Sequence, residues 1–205
     1  MKYEYEILDK NSCYQGFFHL ERYRLRHTLF AGGWSEPVVR ELLQKGHAAA
    51  VLPYDPGKDS VVLVEQFRIG ALENPGGAWL LELVAGFIED GETAEDVVRR
   101  EAMEESGCMV LDLLPICKYL VSPGGSSETI HLFCGRVEAP DTGGIHGIEE
   151  EGEDIRTHVM SLDEALRLLQ QGRIDSASPI IALQWLQQHR AEVRARWCNA
   201  EASKG

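Results

Sequence analysis

The stretch GFIEDGETAEDVVRREAMEESGC, residues 86–108, decides how the rest of the chain is read. Thr93 can cap a helix running from about Ala94 to Ser106, and Gly107 suits the left-handed residue just past its end. At about 100° per helical residue, Glu101, Glu104 and Glu105 fall within an arc of about 100°. Carboxylates that close repel one another unless a cation offsets them. Mg²⁺ and Mn²⁺ are the natural occupants, because these hard ions take oxygen ligands and keep positions open for a substrate phosphate. Arg100 can pair with Glu92 and lock the preceding loop onto the helix. The competing reading is a solvated, charged helix face, the usual fate of an arbitrary E-x-x-E-E.

Working outward, 205 residues suggest one domain, or one domain with an elaborated terminus. With 44% hydrophobic and 26% charged residues, the chain suits a soluble globule with a sizeable core. No apolar run approaches the length of a bilayer span, and Met1-Lys2-Tyr3-Glu4 does not start a signal peptide. The five cysteines (13, 108, 117, 134 and 198) are odd in number and form no C-x-x-C pair. That favours reduced thiols and a cytoplasmic protein without membrane attachment.

The charge is unevenly spread. Thirty-three acids stand against 20 bases, yet residues 82–105 and 149–154 alone hold 14 of the acids and two of the bases. The remainder is nearly neutral. A chain like this does not favour nucleic acid, whose phosphates need a basic surface. The two patches are cation sites or solvated faces, and composition does not separate these.

Residues 17–30 read as a long strand, followed by a turn at Ala31-Gly32-Gly33 and a further strand near Val38–Leu43. Ala48–Pro53 and Ser60–Gln66 flank the turn signal Asp55-Pro56-Gly57 and read as a strand pair. Trp79–Val84, with Glu82 inside it, and residues 116–121 and 129–137 complete the strands. A second helix starts at the capping box Ser161-Leu162-Asp163-Glu164 and stops at Gly172. A third starts at Ser178-Pro179, with proline in its first position, and runs to about Trp197. Its Ile181, Trp185 and Leu186 make an apolar stripe that belongs to the core. Many strands with few helices give an α+β or sandwich reading.

The helix segment meets the pattern G-x5-E-x7-R-E-x-x-E-E-x-G at Gly86, Glu92, Arg100, Glu101, Glu104, Glu105 and Gly107, with apolar Cys108 next. This resembles the Nudix box, the signature of hydrolases acting on a nucleoside diphosphate linked to another moiety. The resemblance implies an α/β/α sandwich with mixed sheets, here with an N-terminal β-rich extension over residues 1–45 and the hydrolase domain over 46–205. Leu120–Glu128 places Pro123 fifteen residues after Cys108, a spacing that resembles the branch acting on ADP-ribose. Gly144-Ile145-His146-Gly147 leading into Glu149–Asp154, and the extended segment before residue 46, match bacterial members of that branch.

The resemblance implies Mg²⁺, with Mn²⁺ as a substitute, held by Glu101, Glu105 and the backbone carbonyl of Ala85, with Glu104 in support. It places the catalytic base at Glu151 and a further metal ligand at Glu153, with Glu150 the competitor for the base in so crowded a run. For substrate it points to Phe17, Phe18, Arg40, Glu41, Lys45, Arg68, Phe87, Ser122, Pro123, Gly124 and Glu128. Lys45 stands where arginine is more typical. Phe17 and Phe18 are also open to simple strand packing. His146 reads as structural rather than metal-binding. The implied reaction is hydrolysis of ADP-ribose to AMP and ribose 5-phosphate by a homodimer with shared sites. The alternatives are another nucleoside diphosphate sugar, or a Nudix-fold nucleotide-binding regulator without catalysis.

Overall fold

The structure, a computed structural model, describes residues 3–148, 150 and 152–202. The chain divides into two compact units, Met1–His47 with Tyr119–Ile130, and Ala48–Lys118 with His131–Gly205. Residues 119–130 thus cluster with the N-terminal segment rather than with the larger domain, where the sequence had put them.

The smaller unit is built on an antiparallel sheet ordered β1 (Tyr5–Gln15), β2 (His19–His27) and β3 (Val38–Gln44). The single strand expected over 17–30 is shorter, and β1 went unread. Every residue of β1 is exposed, so it carries no apolar alternation to read. Arg26 holds Glu6 at 2.6 Å and Lys10 holds Glu21 at 2.8 Å. The segment after Tyr119 docks on β3: the Leu43 N–H donates to Gly125 O, and the Ser127 N–H donates to Leu43 O.

The larger unit centres on a sheet ordered β10–β11–β5–β4–β9–β8, with β6 paired to β5 and β7 to β4. In chain order these are β4 (His47–Asp55), β5 (Ser60–Phe67), β6 (Trp79–Glu82), β7 (Val84–Phe87), β8 (Asp112–Leu120), β9 (Thr129–Arg136), β10 (Ile145–His146) and β11 (Ile155–Ser161). The helices are α1 (Ala94–Ser106), α2 (Leu162–Gln170) and α3 (Ala177–Ala202). Trp79–Val84, expected as one strand, breaks at Leu83 into β6 beside β5 and β7 beside β4. The short β10 and the strand β11 were not expected.

The β4–β5 turn forms as read, with Asp55 Oδ1 accepting the N–H groups of Gly57 and Lys58 at 2.9 and 3.0 Å. Both faces of β4 and β5 are covered, which is why they read as continuous apolar runs rather than alternating ones. Ala49, Val51, Val62 and Val64 join Val97, Val98 and Ala102 of α1 in one core. Alternation turns Leu52, Tyr54 and Leu63 to the other side, where Tyr54 meets Trp197 of α3. Helices on both faces make this an α+β sandwich.

Helix ends follow local chemistry. At α1 the Thr93–Asp96 capping box is closed from both sides, and Gly107 takes φ 66°. At α2 the Ser161 side chain accepts from the Glu164 N–H, but the Glu164 carboxylate turns forward to Arg167 at 2.5 Å, so only half of the expected box forms. α3 begins at Ala177, which places Pro179 within its first turn rather than at its first residue. It is pinned to the β4–β5 turn by Arg190 and Arg194 on Asp59, whose carboxylate also accepts from Tyr54 Oη at 2.6 Å.

Candidate active site

Helix α1 presents its acids unequally. Glu105 is 3% exposed and accepts a hydrogen bond from the Ala85 N–H at 3.1 Å. Its carboxyl is pushed up to about 8, first by burial and then by the charges of Glu101 and Glu153. Glu101 is raised too, again mainly by burial, with Arg100 working against the rise. Arg100 spans the group: it reaches Glu101 at 2.8 Å, Glu104 at 3.1 Å and Glu92 at 3.3 Å. It therefore ties the loop to the helix, as read from the sequence, and also neutralises part of the acidic arc. Among the described residues Glu105 receives no such direct partner.

β7 sits close beneath the helix. A Cβ at Gly86 would collide with the Glu101 carboxylate, so only a glycine lets that side chain lie on the strand backbone. The same strand brings the Ala85 backbone to Glu105. At the far end of α1, the His146 ring comes within 3.2 Å of where a Gly107 Cβ would be, a packing role for this histidine. Glu153 is held by a pair of contacts with Ile148, its own N–H donating to Ile148 O and its carboxylate accepting the Ile148 N–H, both at 3.2 Å. Glu150 is exposed. Glu151, the expected base, lies outside the described residues.

Among the described residues no three His, Cys, Asp or Glu side chains are grouped closely enough to hold a metal ion by themselves. Arg100 engages both Glu101 and Glu104. The remaining donor set still fits a hard divalent ion. Glu105 is a buried carboxylate pushed toward its neutral form by burial and by two like charges, and a cation would offset those charges and favour its ionised form. One or two carboxylates and a backbone oxygen suit Mg²⁺, which keeps several waters rather than a closed protein cage.

The residues expected to meet substrate divide between the units. In the smaller unit, Lys45 Nζ reaches both Glu128 oxygens, at 2.9 and 3.0 Å, and lies 5.9 Å from the Phe18 ring centroid. Phe17 stands edge-on to Phe18 at 4.9 Å and is 87% exposed, while Phe18 is half-buried. Arg40 and Glu41 are exposed on β3, and Glu41 meets Arg22 at 3.7 Å. Ser122 O accepts the N–H groups of Gly125 and Ser126, shaping the turn that contains Pro123 and Gly124. In the larger unit, Arg68 is held by Glu82 at 2.6 Å, and Phe87 is exposed at the end of β7. The role of Glu82 was missed, although a lone acid inside an apolar strand is its signal. A separate hollow of about 250 Å³, lined by Glu65, Trp79, Ile145, Asp154 and Arg156, is built on the odd-numbered side of β5, away from the Val62–Val64 face that carries α1.

The model of the NUDIX domain matches residues 44–183, and the chain belongs to that family. Within the family it is 48% identical over 196 residues to an ADP-ribose pyrophosphatase of Escherichia coli O6:H1, covering 96% of this chain and 94% of that protein. It is 49% identical over 195 residues to an ADP-ribose pyrophosphatase of Haemophilus influenzae, covering 94% of this chain and 90% of the relative. A crystal structure described as an ADP compounds hydrolase superposes with a TM-score of 0.71 at 19% identity, covering 93% of this chain and 97% of that one. At that identity the match speaks for the fold alone.

Proposed function

We propose that the protein hydrolyses the pyrophosphate bond of ADP-ribose, giving AMP and ribose 5-phosphate. The reaction depends on a divalent metal, with Mg²⁺ the proposed ion and Mn²⁺ a substitute. The observation that carries the chemistry is Glu105, a buried carboxylate beside Glu101 that has a backbone N–H but, among the described residues, no direct cationic partner. The substrate follows from the named relatives, which match this chain over nearly its full length.

Glu101, Glu105 and the Ala85 carbonyl would hold the metal, with Glu153 as a further ligand and Glu104 in support. When bound, the metal neutralises the charge that spreads over the phosphoryl oxygens as water attacks. Glu151 takes the proton from that water. The new P–O bond forms as the bridging P–O bond breaks, and the departing phosphate keeps the electron pair. Arg100 keeps the loop on the helix, so that the carboxylates are positioned before the ligand arrives. Phe17 and Phe18 frame the adenine, while Arg40, Lys45 and Arg68 offer positive charge to phosphate or ribose oxygens, with Glu41, Phe87, Ser122, Pro123, Gly124 and Glu128 around them.

The working form is proposed as a homodimer with shared sites. The smaller unit leaves Tyr5, Ile7, Tyr14, Phe30 and Trp34 exposed, a surface that a second copy would cover. Among the described residues no helix is long and apolar enough to cross a membrane. The cytoplasm is the proposed location, in keeping with five free thiols.

The test is a panel of nucleoside diphosphate compounds incubated with Mg²⁺, the products being separated by chromatography. ADP-ribose should give AMP and ribose 5-phosphate, and EDTA should stop the reaction. Cleavage of other nucleoside diphosphate sugars with ADP-ribose left intact would overturn the assignment.

A further inference from the structure

On β5, Val62 and Val64 are fully buried in the core that packs against α1. The backbone stays extended through Arg68 (φ −128°, ψ 116°), whose guanidinium reaches Glu82 and whose charge acts on Glu105. Gln66 stands midway between Val64 and Arg68. Successive strand side chains alternate, so its side chain lies on that same side of the sheet, in the wall beside the carboxylates. It is 9% exposed, and its amide nitrogen is buried without a hydrogen-bond partner among the described residues.

A buried amide donor left unpaired is costly, because it has given up water and gained nothing. A position that only had to be filled would be better served by Leu or Met, which match the volume and leave no donor stranded. The nearby acids do not relieve it. Glu105 accepts from Ala85, while Glu101 and Glu104 are engaged by Arg100. Across the strand pair, Gln66 faces Leu80, whose side chain has no acceptor to offer. Among the described residues no acceptor reaches this amide, and a ligand oxygen would supply one.

We infer that the Gln66 amide donates a hydrogen bond to an oxygen that enters with the ligand, and that it is a further binding residue of the hydrolytic site. That oxygen belongs either to the bound diphosphate or to water held by the cation. The inference rests on the reading of this site as a metal-dependent pyrophosphatase.

The experiment uses the full chain carrying Gln66→Met, with Gln66→Leu as a second replacement of similar size. Affinities are measured by calorimetry with two probes, Mn²⁺ alone and the non-hydrolysable α,β-methylene analogue of ADP-ribose with Mg²⁺. Melting temperature is followed without ligand. Both variants should melt at or above the wild-type temperature, since an unpaired donor has been removed, and both should bind the analogue about tenfold more weakly. Weaker Mn²⁺ binding as well would assign the acceptor to the cation's water. Unchanged Mn²⁺ binding would assign it to the diphosphate. Wild-type affinity for both probes in folded variants would overturn the inference, whatever happens to the melting temperature. Wild-type protein run in parallel on ADP-ribose keeps the two readings apart: its failure to yield AMP would count against the proposed function, not against Gln66 alone.

Discussion

β1 and β4 are both long strands, and they are held in opposite ways. All eleven residues of β1 are exposed, whereas eight of the nine in β4 are buried. β4 is fixed by apolar side chains packed on both of its faces. β1 relies on its hydrogen-bond ladder with β2 and on ion pairs such as Arg26–Glu6, which contribute little at a wet surface. The larger unit thus contains its own source of stability, while the smaller unit shows surface that it does not itself bury. The acids divide along a similar line. Glu105 is enclosed and raised, and Glu150 on its loop is exposed. Enclosure gives a charged group leverage over chemistry, and exposure gives a strand leverage over association.

The largest effect is expected at the enclosed acid. Glu105→Gln should lower turnover about a thousandfold or more while the protein stays folded, because the shape is kept and the charge is lost. Steady-state rates at saturating Mg²⁺ decide this, and near-normal turnover would remove Glu105 from the metal site. The same variant tests the burial argument. A carboxyl raised from 4.5 to about 8 favours the folded state while protonated. Stability of the metal-free wild type should therefore be greatest below about pH 4.5 as far as this group is concerned, and should fall as pH rises through about 8. Melting curves in EDTA should show that decline in the wild type and a shallower one in Glu105→Gln.

Next in size is Leu52→Ala on β4, which should destabilise by about 2–5 kcal/mol in urea titrations, as expected for an emptied core position. A loss below about 1 kcal/mol would mean that the contrast between the strands is overstated. On the exposed side, light scattering at micromolar concentration should give twice the 22.9 kDa chain mass. A lysine at Ile7 should shift that mass toward the monomer, with little change in the melting of the larger unit. A clean monomer for the active wild type would end the dimer proposal. The smallest effect belongs to Arg26→Ala, expected to cost below about 1 kcal/mol by denaturant unfolding.

Elements with strong local signals could be read from the chain. Thr93 and Gly107 bracket α1 at the residues where it starts and stops, because a cap and a left-handed glycine act within one turn. β1 could not be read, since Tyr5–Gln15 has no buried face to impose a pattern. β11 was hidden behind the acid run, with Arg156, His158 and Ser161 breaking its apolar character. The split at Leu83 depends on which neighbour each half of the segment pairs with, and that is a tertiary choice. In the site, the box spacing could be read because its residues are one helix apart. The pairing of Lys45 with Glu128 could not, because it joins positions 83 residues apart. Gln66 gave no sign at all, because a glutamine in an apolar strand becomes informative only once its lack of a partner is visible.

Gly86 has no functional group, yet the Glu101 carboxylate rests where its side chain would be. A single methyl at this position would not need to break the sheet, since a flexible glutamate can swing aside. It would instead push the Glu101 carboxylate, a proposed metal ligand, off the strand backbone. If the proposed metal site holds, surveys that judge a homologue active by counting its glutamates would misclassify a chain with alanine here, because every acid would be present and one of them displaced.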